Sequence, residues 1–262
     1  MSRRPLFIVV IAVCAAMAAL YLGRVLLGAL SPFDHALLLA AGWTKCFALL
    51  VAAVFAFRSA ALLGAGNPAR LPWLLLAYGF AAMTLGQATL DYFQAFRGAS
   101  PFPSVADVWF VIAYPLFIAG VIAFIAAYAR SGFPMAGTTL LFNVLSAVAL
   151  AVSWPLLLPI IRSADAPLAK TLNLIYPALD LVLLVPAIVL LRITSRFRGG
   201  AVWHIWLALL AGFVFTAVGD ILFAYFSTLG FTRLDPVVHA MYLVAYGGLA
   251  AGAMVQRQLL AA

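Results

Sequence analysis

The chain has 262 residues, of which 67% are hydrophobic and 8% are charged; it has 15 Lys and Arg residues, seven Asp and no Glu. A soluble domain carries about 45–50% apolar and about 25% charged residues, and a disordered chain is poorer still in apolar residues. The composition excludes both classes and predicts an integral membrane protein. Cys14 and Cys46 each lie within an apolar run, so we expect buried thiols and no disulfide.

The first apolar segment follows Ser2-Arg3-Arg4, which is the layout of a secretory signal, and the small residues of 15–18 offer a cleavage site. However, the apolar segment continues to Leu30 and is interrupted only by Arg24. That length is sufficient to cross a bilayer. We therefore favour a retained first helix.

The rest of the chain divides at clusters of Gly, Pro and Arg. A spanning helix needs about 20 mostly apolar residues, and eight segments meet this requirement. We predict an all-α integral membrane protein, one transmembrane domain over residues 1–262, with both ends on one side. The candidate spans are 5–30, 34–57, 71–96, 104–129, 137–161, 168–191, 201–228 and 236–256.

The distribution of Lys and Arg predicts the orientation, because cytoplasmic loops hold the excess of basic residues. The predicted cytoplasmic side holds nine Arg and no Asp: Arg3, Arg4, Arg58, Arg70, Arg130, Arg192, Arg196, Arg198 and Arg257. The other side holds Arg24, Arg97, Arg162, Lys170 and Arg233 with Asp34, Asp91, Asp107, Asp165 and Asp235. Both termini are therefore predicted to be cytoplasmic. The net charge of +8 then reflects topology and contact with anionic lipids, and no nucleic-acid partner is expected.

The chain contains an internal repeat. Residues 73–93 align with residues 206–226 without a gap, and 8 of the 21 positions are identical, including Trp, Gly and Tyr-Phe matches. After one deletion the register continues through the next span, where Tyr114 aligns with Tyr246 and Gly120 with Gly252. The third and fourth spans therefore correspond to the seventh and eighth. This predicts a parallel 4+4 repeat about an axis near the membrane normal.

Two charged residues are predicted near the middle of the membrane. Lys45 lies 13 residues before Arg58 on the second span, and Asp180 lies 12 residues before Arg192 on the sixth. Charges at this depth are costly and face the bundle interior or a cavity. If the repeat holds, the two lie at matching depth, where an ion pair would offset part of the desolvation cost. They form a structural clamp, or part of a ligand or proton-relay site, or they do not contact each other.

A second polar group is predicted toward the opposite face, where it would form an extracytoplasmic cavity. Gln87 and Asp220 occupy equivalent repeat positions, each after a Gly, and Asp107 corresponds to His239. Asp107 and Asp235 also lie where a carboxylate caps a helix N-terminus, so capping is an alternative role for them. The predicted ligand-binding residues are Lys45, Gln87, Asp91, Asp107, Tyr114, Asp180, Asp220, His239 and Tyr246.

The histidines and carboxylates do not follow a metal-binding pattern. The chain has neither an HxxxH nor an HExxH spacing, so no metal site is predicted, and the sequence leaves the cofactor unknown. The two lysines lie on the second and sixth spans, whereas a retinal pigment would need its Schiff-base lysine on the last helix.

Three segments resemble the membrane-embedded sensor regions that precede the catalytic domain of bacterial diguanylate cyclases: Phe102–Pro115, Tyr176–Leu184, and Gly219–Tyr225 with Leu234-Asp235. The resemblance covers roughly residues 70–256. It implies a multi-pass helical bundle in the bacterial inner membrane that receives a signal. The cyclase (GGDEF) motif is missing here, so we expect a non-catalytic sensor or ligand-binding module that acts through a cytoplasmic or membrane partner. A lipid or small hydrophobic molecule is a candidate ligand.

Two other functions stay open. Gly219-Asp220, followed by His239 and Tyr242, is similar to the last two spans of lysoplasmalogenase-type membrane hydrolases. That resemblance implies lipid hydrolysis by Asp220 with His239, although Gln87 stands where a second acid would be wanted, and an amide is neither an acid nor a base. A small-solute transporter is the third candidate, suggested by the parallel repeat and the Lys45 and Asp180 charges.

Overall fold

The computed structural model describes residues 4–27, 34–133 and 135–261. Within these residues the chain forms long α-helices joined by short connections, with short 3-10 segments at Thr194–Phe197 and Thr232–Leu234. Residues 1–3 and 28–33, which include the predicted end of the first span, lie outside the described part. The helices are α1 (Arg4–Leu27), α2 (Asp34–Leu62), α3 (Arg70–Arg97), α4 (Val105–Arg130), α5 (Thr138–Arg162), α6 (Pro167–Ile193), α7 (Ala201–Leu229) and α8 (Asp235–Leu259).

Seven segments are long and apolar enough to cross a membrane: Pro5–Arg24, His35–Leu62, Arg70–Arg97, Val105–Arg130, Pro167–Phe197, Ala201–Leu229 and Asp235–Leu259. The predicted multi-pass membrane protein is therefore confirmed. The part of α5 that enters this comparison, Thr138–Val152, is apolar but shorter than the other seven. The prediction for α2 ended early, at residue 57, because Arg58 was taken as the end of the span, whereas the helix continues to Leu62.

The helices pack as two similar groups. α3 packs on α4, and α7 packs on α8; α2 contacts α3 and α8, and α6 contacts α7 and α4. The first helices of the two halves differ, since α1 packs mainly on α8 whereas α5 packs mainly on α6. Helices α2, α3, α4, α6, α7 and α8 therefore surround the centre of the bundle.

Glycines allow the paired helices to approach closely. A Cβ on Gly212 of α7 would lie 2.9 Å from the carbonyl oxygen of Ala245 in α8 and closer still to the Leu249 side chain. On the equivalent pair, a Cβ on Gly79 of α3 would collide with the ring of Phe117 in α4. Small residues at such contacts let membrane helices approach closely, because van der Waals packing and not the hydrophobic effect holds them together.

Large aromatic side chains fill the bundle toward the end where α3 begins and α4 ends. Trp73 and Trp206 stack with their ring centroids 6.3 Å apart, and Phe124 meets both rings edge-on. Phe117 and Phe213 continue the contact at 5.4 Å. We call these five residues the aromatic plug. The end of the bundle that it fills also carries Arg58, Arg70, Arg130 and Arg192, and we call it the arginine-rich end.

Cys14 and Cys46 are free thiols, and both are buried. The prediction that they form no disulfide is confirmed. Cys46 lies 3.9 Å from the carbonyl oxygen of Thr84, and Cys14 packs against Gly247 of α8. Both behave as small apolar side chains that join neighbouring helices.

Candidate functional site

A cavity of about 1040 Å³ opens at the end of the bundle opposite the arginine-rich end. Its rim is formed by the connection between α3 and α4, at residues 98–102, and by the connection between α7 and α8, around Arg233 and Asp235. Its walls come from α1, α2, α3, α4, α6, α7 and α8. A cavity of this size lies at the upper limit of ligand sites, which run from about 300 to 1,000 Å³.

The structure brings most of the predicted ligand-binding residues to this one cavity. Eight of the nine lie on its wall: Lys45, Gln87, Asp91, Asp107, Tyr114, Asp220, His239 and Tyr246. Asp180 lies behind the wall and is bound to Tyr114. The residues belong to six different helices, so their convergence is a result of helix packing that sequence spacing does not reveal.

At the floor of the cavity, one tyrosine hydroxyl joins two carboxyl groups. The Tyr114 hydroxyl oxygen lies 2.8 Å from Oδ1 of Asp180 and 2.8 Å from Oδ2 of Asp220. A phenol has one proton to donate. Both contacts are hydrogen bonds only if one carboxyl group carries a proton and donates it to the phenol oxygen. Asp180 is 2% exposed, and its Oδ2 has no partner among the described residues.

Two further tyrosines bind the carboxyl groups of the same wall. The Tyr242 hydroxyl donates to Oδ1 of Asp220 at 2.5 Å, and the Tyr176 hydroxyl donates to Oδ1 of Asp107 at 2.7 Å. These contacts supply hydrogen bonds but no positive charge. The carboxyl groups of Asp107, Asp180 and Asp220 are therefore held by phenol hydroxyls, and we call this set with Tyr114, Tyr176 and Tyr242 the Asp–Tyr wall.

Asp107 has the capping role that was predicted as an alternative. Its Oδ2 accepts from the backbone N–H of Ser104 at 2.6 Å, and the Ser104 hydroxyl accepts from the N–H of Ala106, which closes a capping box at the start of α4. Asp107 also reaches the cavity through its bond to Tyr176. Asp235 lies in the first turn of α8, where the N-cap residue makes no side-chain hydrogen bond, so there the carboxylate complements only the helix dipole.

A second polar cluster in the cavity contains the lysine. Lys45 Nζ lies 3.2 Å from Nδ1 of His239, so the ammonium group donates to a neutral imidazole. The same Nζ lies 5.8 Å from the centroid of the Tyr242 ring. Asp91 is the carboxylate whose charge acts on Lys45, and Asp91 accepts from Gln87 Nε2 at 2.8 Å. Gly42 leaves room for the Asp91 side chain, since a Cβ at position 42 would collide with its carboxyl group.

The hypothesis of a Lys45–Asp180 ion pair does not match this geometry. Lys45 contacts His239 of α8, whereas Asp180 contacts Tyr114 of α4. Both residues are buried, but α2 and α6 contact different helices. Lys45 therefore interacts with His239 and Asp91, and Asp180 belongs to the Asp–Tyr wall.

Sequence reasoning missed Asn173 as a site residue. It lines the cavity, is 3% exposed, and its Oδ1 has no hydrogen-bond partner among the described residues. An uncharged Asn in an apolar run gave no signal beyond its polarity. Tyr176 and Tyr242 were noted only as parts of motifs; both line the cavity and bind its carboxyl groups. The sequence did contain one signal for these tyrosines. Tyr176 follows Asn173 by three residues and Tyr242 follows His239 by three, and residues at this spacing lie on the same face of a helix.

Within the described residues, no group of three or more His, Cys, Asp or Glu side chains is arranged to hold a metal ion. Comparison with known proteins finds no matching family model, no matching curated protein and no matching solved structure.

Proposed function

We propose that the chain is a non-catalytic membrane sensor or ligand-binding module, with its ligand site in the cavity of the Asp–Tyr wall. One observation carries the proposal: buried polar side chains from six helices converge on one open cavity. Polar and charged groups are costly to bury in a membrane protein, and where they gather around a cavity they mark a functional site. A ligand whose polar groups match the Asp–Tyr wall would bind there.

The proposed topology has eight spans, with α5 included. α5 continues to Arg162 and has 25 residues, which at 1.5 Å per residue gives about 37 Å, enough to cross a hydrocarbon core of about 30 Å. The arginine-rich end would then face the cytoplasm of a bacterial inner membrane and the cavity would open outside. The excess of Arg at one end and the position of the cavity at the other support this orientation.

The proposed parallel 4+4 repeat is supported by equivalent contacts in the two halves. Gly79 meets Phe117, and the aligned Gly212 meets Leu249; Gly120 meets Leu76, and the aligned Gly252 meets Leu209. Aligned positions also line the same cavity in pairs: Met83 and Thr216, Gln87 and Asp220, Leu90 and Phe223, Asp107 and His239, Phe110 and Tyr242, Tyr114 and Tyr246. The cavity would therefore lie on the repeat axis.

A receptor fits the arrangement better than a transporter. The aromatic plug fills the bundle between the cavity floor and the arginine-rich end, and Phe117 and Phe213 pack there at 5.4 Å. Tyr114 at the cavity floor and Phe117 in the plug are one turn apart on α4. Ligand contact with Tyr114 would thus be transmitted along α4 to the arginine-rich end, where a cytoplasmic or membrane partner would detect it.

Native mass spectrometry of the protein released from cell membranes in mild detergent tests the proposal. The wild-type protein is expected to carry a bound small molecule, and Asp220→Asn is expected to lose it. Asp165→Asn is the matched control, since Asp165 bonds to Ser163 and Thr228 and lies outside the cavity lining. A ligand kept equally by all three proteins, or carried by none, would contradict the assigned site.

A second function, lipid hydrolysis, is favoured by one specific observation. The Asp180–Tyr114–Asp220 contacts place two carboxyl groups on one phenol. Asp220 lines the cavity and would meet a substrate, whereas Asp180 lies behind the wall and would exchange a proton with Asp220 through Tyr114. His239, the predicted partner of Asp220, is instead bound to Lys45. In this reaction Asp220 would take a proton from water, the water oxygen would bond to the lipid atom under attack, and the bond from that atom to the leaving oxygen would break as Asp220 returns the proton to the leaving oxygen.

Purified protein and a panel of radiolabelled lipids separate the two functions. Release of a water-soluble product by the wild-type protein, lost in both Asp220→Asn and Tyr114→Phe, would show hydrolysis. Protein that binds a lipid without product release supports the non-catalytic module. Asp165→Asn again serves as the control, because it removes a carboxylate away from the cavity.

A further inference from the structure

Among the described residues, carboxyl groups outnumber cationic side chains around the cavity. Asp91, Asp107, Asp220 and Asp235 line it with Asp180 behind its wall, against Lys45, Arg24 and Arg233. Of the three cationic residues only Lys45 is buried, since Arg24 is half-buried and Arg233 is exposed. Lys45 is already engaged with His239 and with the charge of Asp91. The Asp–Tyr wall therefore has no cationic side chain within hydrogen-bond distance among the described residues.

The same wall presents aromatic rings around the carboxyl groups. Tyr114 and Tyr176 have ring centroids 6.2 Å apart, and Tyr242 and Tyr246 stack at 5.8 Å. All four rings line the cavity. Aromatic faces attract ammonium groups, and Lys45 Nζ at 5.8 Å from the Tyr242 ring shows that a cation is accommodated there.

On this basis we infer that the cavity binds an organic ammonium group, seated between the four tyrosine rings and the carboxyl groups of the Asp–Tyr wall. The inference depends on the proposed ligand-binding function and specifies the chemical class of the ligand. The tyrosine rings contact the cation, and the carboxyl groups of Asp107 and Asp220 balance its charge. The ammonium group belongs either to a free small molecule or to a zwitterionic lipid headgroup.

Three molecules of nearly the same shape test the sign of the charge: choline, the neutral 3,3-dimethylbutan-1-ol and the anionic 3,3-dimethylbutanoate. Thermal unfolding of the protein is measured with each of the three molecules in nanodiscs of phosphatidylglycerol, a lipid that contains no amine. Choline is expected to raise the melting temperature and to bind at least about tenfold more tightly than the neutral isostere, because a cation interacts with the rings and carboxylates and a tert-butyl group does not. Asp220→Asn should remove this preference, and Asp165→Asn should keep it.

The same measurement in a second lipid distinguishes the two sources of the ammonium group. In phosphatidylcholine nanodiscs, a lipid headgroup that enters the cavity would stabilise the protein beforehand and leave choline without effect. If the ligand is a free molecule, choline would act equally in both lipids. Equal or tighter binding of the neutral or anionic isostere would overturn the ammonium assignment while leaving a ligand-binding cavity in place. If none of the three molecules binds in either lipid and native mass spectrometry finds no ligand, both the assignment and the proposed function fail.

Discussion

The substitution Tyr114→Phe tests the central contact of the Asp–Tyr wall. Tyr114 is 4% exposed, and its hydroxyl binds Oδ1 of Asp180, which is itself buried. Interhelical hydrogen bonds in a membrane protein contribute about 0.6 kcal/mol on average and at most about 1.7. The phenol makes two such contacts, and its removal leaves a buried carboxyl group without this partner, so we expect a loss of about 2 kcal/mol in the free energy of unfolding.

Reversible unfolding in mixed micelles, titrated with sodium dodecyl sulfate, measures this loss. Tyr92→Phe is the matched control, because it removes the same hydroxyl from a residue that is 53% exposed. If the buried carboxyl group of Asp180 causes the loss, adding Asp180→Leu to Tyr114→Phe should restore part of the stability. A loss below about 0.5 kcal/mol, equal to that of the control, would refute the assigned hydrogen-bond network.

Further substitutions test other parts of the structure. Gly212→Ala should destabilise the protein by about 1–3 kcal/mol in the same assay, because the new Cβ would collide with α8. The control Gly23→Ala lies in open space on a helix and should be neutral or slightly stabilising. Equal effects of the two substitutions would argue against the close contact of α7 and α8. Lys45→Met should be more destabilising alone than together with Asp91→Asn, since the single change leaves a buried carboxylate without its cation; additive losses would show that the two charges do not interact. Ser104→Ala should cost about 1 kcal/mol through the lost helix cap without changing ligand affinity, and a large loss of affinity would place it in the site instead.

The spans could be predicted from the sequence because helix ends in a membrane are determined locally. Arg70 and Arg97 bound α3, and Arg130 ends α4, each within one residue of the predicted limits. The same reasoning ended α2 before Arg58, but the helix continues through the following Ala and Leu residues to Leu62. Hydropathy also identified Lys45 and Asp180 as charges deep in the bundle.

The partners of these charges could not be predicted, because they depend on how each helix is rotated and which helix it meets. The repeat suggested that Lys45 and Asp180 face each other, yet α2 meets α8 whereas α6 meets α4. His239 and Tyr114, on those two helices, therefore became their partners. Asn173 could not be predicted as a site residue, because its amide is uncharged and an uncharged residue in an apolar run does not stand out in the sequence. Its position in the cavity lining identifies it.

The most direct test of the account is whether water-soluble molecules reach the cavity from the end opposite the arginine-rich end. Thr216→Cys, in a chain with Cys14 and Cys46 changed to Ala, places one thiol on the cavity wall, and Val218→Cys places one on the outer side of the same helix, where Val218 is 39% exposed. A small charged thiol reagent added to sealed vesicles of either orientation should label only the cavity thiol, and only from the end where the cavity opens. An unreactive Thr216→Cys, or labelling from the arginine-rich end, would contradict the cavity and its orientation.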